Sequence, residues 1–319
     1  MNFSDILSYS DQTEFSPNSQ YIAIVKGLRV TVYESARISP VNSWTIVDHV
    51  SKLIWSQDSC LLLCSQNKRG LIQVFNLKDT KWECKISSGP GGLSGSWMTP
   101  EARHIVTVCK HKLRLNIWSL LQKEVLTVSN PKFSTKGVIF SKCGQFTGVL
   151  RRVCNKDQVA IFDSNYQQVS NFILKTENTD EVFWSNDNYY IIAYDSELLT
   201  VYYPTGELVY ELDPRPRHFL TAHSSINGCY LALAQSTNKI FILHSITWNK
   251  IMELSALDEV DSKSAMVYRE EEAYKDEILT CSYEVYEGLL SLGKIEGERK
   301  VGLIKWSANE RYVACRFGI

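Results

Sequence analysis

The chain has 319 residues, 44% of them hydrophobic and 22% charged, with 34 Lys+Arg against 35 Asp+Glu for a formal net charge of −1. Near-neutral charge argues against a generalised binder of nucleic acid or anionic membrane, since both need a cationic excess. The apolar fraction is enough for a large core.

In chain order, one pattern recurs about every 40 residues: an aromatic, a Ser or small residue, a four-residue turn, then an apolar run. The copies are Phe15-Ser16 with Tyr21-Ile22-Ala23, Trp55-Ser56 with Leu61-Leu62-Leu63, and Trp97 with His104-Ile105-Val106. Phe140-Ser141 with Phe146, Trp184-Ser185 with Tyr190-Ile191-Ile192, and Trp306-Ser307 with Tyr312-Val313-Ala314 continue it. Each copy is followed by an alternating strand closed by a large residue: Arg29 to Tyr33, Leu71 to Phe75, Leu113 to Trp118, Gln158 to Phe162, Leu199 to Tyr202 and Lys239 to Leu243. A period of two marks a strand with one face buried. A polar turn and a further β-rich stretch, such as Glu124 to Val128, supply a fourth strand. Four short strands per repeat predict an all-β chain, a β-propeller of WD40 type. The Trp-Asp dipeptide is degenerate, and Phe162-Asp163 comes nearest to it.

A sixth copy is blurred, with His223-Ser224-Ser225 at the expected anchor and Tyr230 one residue late. The predicted organisation is six blades over 1–254, a charged insertion over 255–300 with a short strand at Tyr283-Glu284-Val285-Tyr286, and the start of a seventh blade over 301–319. Residues 1–14 are placed as a closing strand. A seventh blade cut short predicts an incomplete ring: either the chain is a piece of a longer protein or its closure is unusual. Met1-Asn2-Phe3-Ser4-Asp5 lacks the features of a signal peptide. Nine cysteines are scattered without a CxxC pair, and Cys60, Cys64, Cys109 and Cys229 lie in apolar runs, where the thiol packs as a small hydrophobe. A reducing compartment is expected, hence a cytosolic or nuclear protein.

Several stretches resemble the WD-repeat-protein-eight family: Met1-Asn2-Phe3-Ser4, Trp55-Ser56-Gln57-Asp58-Ser59, Lys68-Arg69-Gly70-Leu71-Ile72-Gln73-Val74, Trp82-Glu83-Cys84-Lys85-Ile86, Thr247-Trp248-Asn249-Lys250-Ile251 and Val267-Tyr268-Arg269-Glu270. The long gap before Trp306 also falls where that family has one. The resemblance implies a non-catalytic scaffold of the cytoskeleton at the centrosome or spindle pole. It implies a coiled-coil partner of the synovial-sarcoma-X-breakpoint-interacting type, within a microtubule-associated complex that anchors minus ends and supports spindle and cilium assembly. The alternative adaptor class is a ubiquitin-ligase substrate receptor. Such receptors carry Arg or Lys two residues after the Trp-Asp position, which here only Phe75-Asn76-Leu77-Lys78 offers.

No catalytic or cofactor constellation stands out. Gly92-Leu93-Ser94-Gly95-Ser96 falls short of a nucleophile elbow, which needs a strand-to-helix turn. The six histidines form no metal-ligand spacing, although His104 and His111 flank one apolar run. There is no glycine-rich phosphate loop. No cofactor, small-molecule substrate, nucleic acid or membrane is therefore expected as a partner. The candidate binding residues are basic. Lys68-Arg69 lies in a predicted hairpin loop, Arg151-Arg152 in the equivalent loop two blades on, and Arg215-Pro216-Arg217-His218 before the sixth blade. Equivalent loops share a face in a propeller, so Lys68, Arg69, Arg151 and Arg152 are expected to form one rim for an acidic partner. Trp82 and Trp248, out of register with the repeat, are candidate contact residues. Phe15, Trp55, Trp97, Phe140, Trp184 and Trp306 are expected as anchors packed between blades.

Overall fold

A computed structural model of the chain describes residues 12–122, 124–213, 218–235, 239–255, 259–261, 267–275, 278–286, 289–291, 300–307 and 309–318. The chain divides into two compact units, Met1–Leu212 and Asp213–Ile319. The first unit holds five antiparallel sheets of four consecutive strands each. They are β1 to β4 (Gln12–Phe15, Tyr21–Lys26, Arg29–Glu34, Ser39–Thr45) and β5 to β8 (Lys52–Trp55, Leu61–Gln66, Leu71–Asn76, Glu83–Ser87). Next come β9 to β12 (Gly95–Met98, His104–Val108, Arg114–Ser119, Val125–Ser129) and β13 to β16 (Val138–Phe140, Thr147–Val153, Lys156–Phe162, Gln168–Ile173). The fifth is β17 to β20 (Glu181–Trp184, Ile191–Tyr194, Leu199–Tyr202, Leu208–Leu212). These are propeller blades, as the repeat predicts.

First strands meet: β1 lies beside β5, β5 beside β9, and β13 beside β17. Residues of β1, β5, β9 and β13 line one cavity of about 570 Å³. In blades two to four the second and third strands read as continuous apolar runs because a neighbouring blade covers each face; Leu62, Leu63, Val106 and Val149 are fully buried. Fourth strands form the outer edge, where Val125, Val169 and Leu208 are exposed.

The Ser of each repeat fixes the turn between first and second strands. The Ser56 hydroxyl donates to Asp58 Oδ1 at 2.5 Å and accepts the Leu61 N–H at 2.8 Å. The same acceptance, from the N–H five residues on, recurs at Ser16, Thr99, Ser141, Ser185, Ser225 and Ser307. The side chain thereby satisfies backbone groups that the tight turn leaves over. Three residues after each of these hydroxyls the backbone is left-handed, at Ser19, Ser59, Ala102, Gly144, Asn188, Gly228 and Glu310. Ala102, at φ 57, is unsuited to that region. Ala102→Gly should therefore raise the unfolding free energy by about 0.5–1 kcal/mol, the relief of left-handed strain exceeding the entropy cost of glycine. Chemical denaturation of the two proteins measures it.

The blades are joined by aromatic wedges. Trp55, at the end of β5, is 8% exposed; it stacks on Tyr21 of the preceding blade at 6.4 Å and 22°. Its indole Nε1 donates to the Glu14 carbonyl at 3.1 Å. Trp184 stacks on Phe146 at 6.1 Å and the same 22°. The third blade departs from the expected register. Thr99 takes the place of the repeat serine, so Met98, not Trp97, holds the anchor position and packs with Leu63 and Ile105. A shift of one residue turns a strand side chain to the other face, and Trp97 packs forward with Phe140 on the cluster of Val106 and Val149. Phe15, expected as a packed anchor, is 59% exposed.

The second unit contains a four-stranded sheet, β21 to β24 (Phe219–Ser224, Tyr230–Gln235, Lys239–His244, Lys250–Ser255). It also contains paired β25 (Glu259–Asp261) and β28 (Leu289–Ser291), a hairpin of β26 (Val267–Lys275) and β27 (Ile278–Tyr286), and paired β29 (Lys300–Trp306) and β30 (Val313–Gly318). The sixth repeat is regular after all. Ser225 is the repeat serine and Tyr230 lies five residues on, as elsewhere, so Ser224 takes the anchor place and blurs the pattern. Trp306 repeats the wedge: it stacks on Tyr230 at 6.1 Å and 22°, with Nε1 donating to the His223 carbonyl at 3.1 Å. The strand expected at Tyr283–Tyr286 begins earlier, at Ile278, and pairs along its length with β26; Ile278, Thr280, Tyr283 and Val285 favour a strand. Residues 1–11 of the expected closing strand, and Arg215, Pro216 and Arg217, lie outside the described residues.

On the third and fourth strands of that sheet, Lys239 and Lys250 both donate to the Glu253 carboxylate, the latter at 2.6 Å. These bonds hold Glu253 at a pKa of about 2 against an ordinary 4.5. A depressed carboxylate pKa contributes stability above the unfolded value and loses it as pH falls towards the folded one. The contribution of Glu253 should therefore fade between about pH 4.5 and 2. Carbon-detected NMR of the carboxyl should show the low midpoint, returning towards 4.5 in Lys239→Ala/Lys250→Ala.

Candidate interaction face

In every blade of the first unit the first-to-second and third-to-fourth turns lie at one end. The second-to-third turns and the links between blades lie at the other. Bonds between neighbours keep like ends together. The Asn18 N–H donates to Ser59 Oγ at 3.2 Å and the Cys143 N–H to Asn188 Oδ1 at 3.1 Å at the serine-turn end. Arg69 meets Asp48 at 3.1 Å at the opposite end.

The two ends differ in charge. At the link end, segments 66–71, 87–95, 109–114 and 129–137 follow one another from blade two to blade four without an Asp or Glu. They carry Lys68 and Arg69, then Lys110, Lys112 and Arg114, then Lys132 and Lys136. At the serine-turn end the corresponding turns each hold a carboxylate: Asp58, Asp79, Glu101 and Glu124. A depression of about 650 Å³ there is lined by Arg103, His104, Glu124 and Tyr166. His104 is edge-on to Tyr166 at 4.4 Å and 3.4 Å from the Glu101 carboxylate. The neutral total charge thus conceals one basic end.

Lys68 and Arg69 occupy the β6–β7 turn, both exposed, with Arg69 bonded to Asp48. The His49 N–H and then Arg69 hold the Asp48 carboxyl below the usual carboxylate range. Arg151 and Arg152 lie at the same end but not in a loop. They belong to β14, opposite Gln158 and Asp157, because the left-handed turn comes later, at Cys154-Asn155. Their guanidinium groups bind links between blades: Arg151 donates to Ser129 O at 2.9 Å and Ser129 Oγ at 3.1 Å, and Arg152 to Asn178 Oδ1 at 2.9 Å. Beneath them is a buried ion pair. Lys132 Nζ donates to Asp157 Oδ2 at 2.6 Å and to the Thr179 carbonyl at 2.5 Å. Asp157 Oδ2 also accepts the Thr179 N–H at 2.8 Å, and Oδ1 lies 3.5 Å from Arg152. Burial pushes the Lys132 pKa down, against the pull of Asp157.

Trp248 is 6% exposed, and Trp82 packs partly buried on the cluster of Leu63 and Met98. Ser94 lies in the link before β9 and donates to the carbonyls of Val108 and Cys109, at 3.1 Å each. His104 begins β10 while His111 lies in the turn beyond its far end, so the hairpin keeps them apart. Sequence reasoning passed over Lys110, Lys112, Lys132, Phe133 and Lys136. The missing signal was four successive link-end segments without a carboxylate.

No protein-family model matches the chain. It is 29% identical over 284 residues to the WD repeat-containing protein WRAP73 of Mus musculus, an alignment covering 85% of this chain and 60% of that protein. The chain thus spans somewhat over half the length of the curated relative it matches. The Cps50 (Swd1) β-propeller domain of Myceliophteria thermophila aligns at a TM-score of 0.48 and 10% identity, over 79% of this chain and 87% of that domain. Its serine-fixed repeats and four-stranded blades are those of a WD-repeat β-propeller, and most of the chain is similar to this WD-repeat protein.

Proposed function

We propose that this WD-repeat protein is a scaffold of the centrosome or spindle pole that holds a coiled-coil partner and thereby anchors microtubule minus ends. The observation that supports this most is the similarity along 85% of the chain to a WD-repeat relative, joined to a basic end on a rigid array of blades. Blades cross-braced by indole wedges change little on binding, so the partner orders on a preformed surface. A few contacts in that surface then dominate the affinity. The test is the distribution of a fluorescently tagged chain in dividing cells, with identification of the proteins it retains. Concentration at spindle poles together with a coiled-coil protein is the expected result. A diffuse cytoplasmic signal, or retention of a cullin adaptor in place of a coiled-coil protein, would overturn it.

A further inference from the structure

Phe133, in the link between β12 and β13, is only partly buried, and three lysines surround its ring. The ammonium groups of Lys136, Lys132 and Lys112 lie 4.3, 5.2 and 5.8 Å from its centroid. The ring quadrupole eases this crowding of like charge. Lys132 is neutralised by Asp157. Lys136 donates to the Asp180 carbonyl, which leaves its charge uncompensated, and Lys112 is exposed. Lys110 extends the cluster. Its aliphatic stem lies over Gly92, where an added Cβ would come within 2.9 Å of Lys110 Cδ, so the absence of a side chain at Gly92 gives it room. Leu113, beside Lys112, is 67% exposed. The turn that presents them is held in the left-handed region at His111 and Lys112, φ 64 and 55, a strained arrangement of the sort found at binding surfaces.

We infer that this lysine-ringed phenylalanine is the docking point for an acidic protein segment with interspersed apolar residues. Its carboxylates would face Lys110, Lys112 and Lys136, and its apolar side chains Phe133 and Leu113. Charge complementarity supplies the attraction and the on-rate, and the apolar pair supplies a desolvated centre. The exposed apolar Leu113 beside the cations favours a peptide over nucleic acid, whose single strands want stacking faces and whose backbone wants cations alone. The inference rests on the reading of the chain as a protein-binding scaffold, and not on the identity of the coiled-coil partner.

The experiment is fluorescence anisotropy with the purified full chain and a labelled peptide of repeated Glu-Glu-Leu triplets, beside a Gln-Gln-Leu peptide and single-stranded RNA of matching length. The acidic peptide should bind, weaken with added salt, and lose about tenfold or more in affinity with Lys112→Glu/Lys136→Glu. The turn variant Lys110→Glu/Lys112→Glu, which removes no side-chain hydrogen bond or ion pair, should reproduce that loss. Lys78→Glu/Lys81→Glu, at the serine-turn end, should leave binding unchanged. Equal binding of the Gln-Gln-Leu peptide, or undiminished binding by both link-end variants, would overturn the proposal. So would RNA bound more tightly than the acidic peptide and lost in the same variants. Acidic-peptide binding without spindle-pole localisation would sink the cellular role alone. Spindle-pole localisation that survives Lys110→Glu/Lys112→Glu, with no peptide binding, would sink this site alone.

Discussion

Trp55→Ala should lower the unfolding free energy by about 3–5 kcal/mol, the range for deleting a large buried aromatic that leaves a cavity. The site cannot collapse to fill the space, because Tyr21 on one side and the β5 backbone on the other belong to different sheets. Two further losses add to the cavity: the stack on Tyr21 and the bond to the Glu14 carbonyl. Trp55→Phe separates them. It keeps a ring on Tyr21 but leaves the Glu14 carbonyl without the indole, so a cost nearer 1–2 kcal/mol is expected, the size of one hydrogen bond plus a small void. Urea denaturation followed by circular dichroism gives both values. A loss below about 1 kcal/mol for the alanine variant would contradict the wedge.

Asp157→Ala should be comparably damaging, at about 3–5 kcal/mol, because it strands a buried ammonium. Lys132 is 7% exposed and Asp157 fully buried, and Thr179 loses the acceptor for its N–H in the same substitution. Three segments meet at this carboxylate: the link into blade four through Lys132, the third strand of blade four, and the link into blade five through Thr179. Removing both charges together is the informative comparison. Lys132→Met/Asp157→Leu should cost less than Asp157→Ala, since a buried pair replaced by apolar groups of similar size loses little while a broken pair loses much. Equal costs for the two variants would mean that the pair is not desolvated as the geometry requires.

The architecture was legible from the sequence because it depends on features that repeat. An apolar run such as Leu61-Leu62-Leu63 reads as a strand covered on both faces, and a Ser ahead of a turn reads as the hydroxyl that closes it. The Asp163 carboxylate, nearest relic of the Trp-Asp pair, accepts the N–H groups of Asn165 and Gln167 and so still stabilises its turn. The misreadings arose where one residue decides the outcome. Trp97 drew the eye as the bulkiest residue near the third anchor, but the hydroxyl of Thr99 sets the register and gives the place to Met98. Ser224 hid the sixth anchor for the opposite reason, being too small to look like one. The basic end was half legible. Paired cations at Lys68-Arg69 and Arg151-Arg152 stand out in a string of letters, yet the arginines largely brace links between blades. The cluster around Phe133 is assembled from residues 24 positions apart, Lys112 and Lys136, which only the folded link brings to one ring.

The central claim is that the basic end of blades two to four is where this WD-repeat protein holds its partner. Lysine-reactive cross-linking of the purified chain to that partner, read by mass spectrometry, tests it most directly. Cross-links should concentrate on Lys68, Lys110, Lys112 and Lys136. Cross-links concentrated instead on Lys78, Lys81 and Lys142, at the serine-turn end, would contradict it.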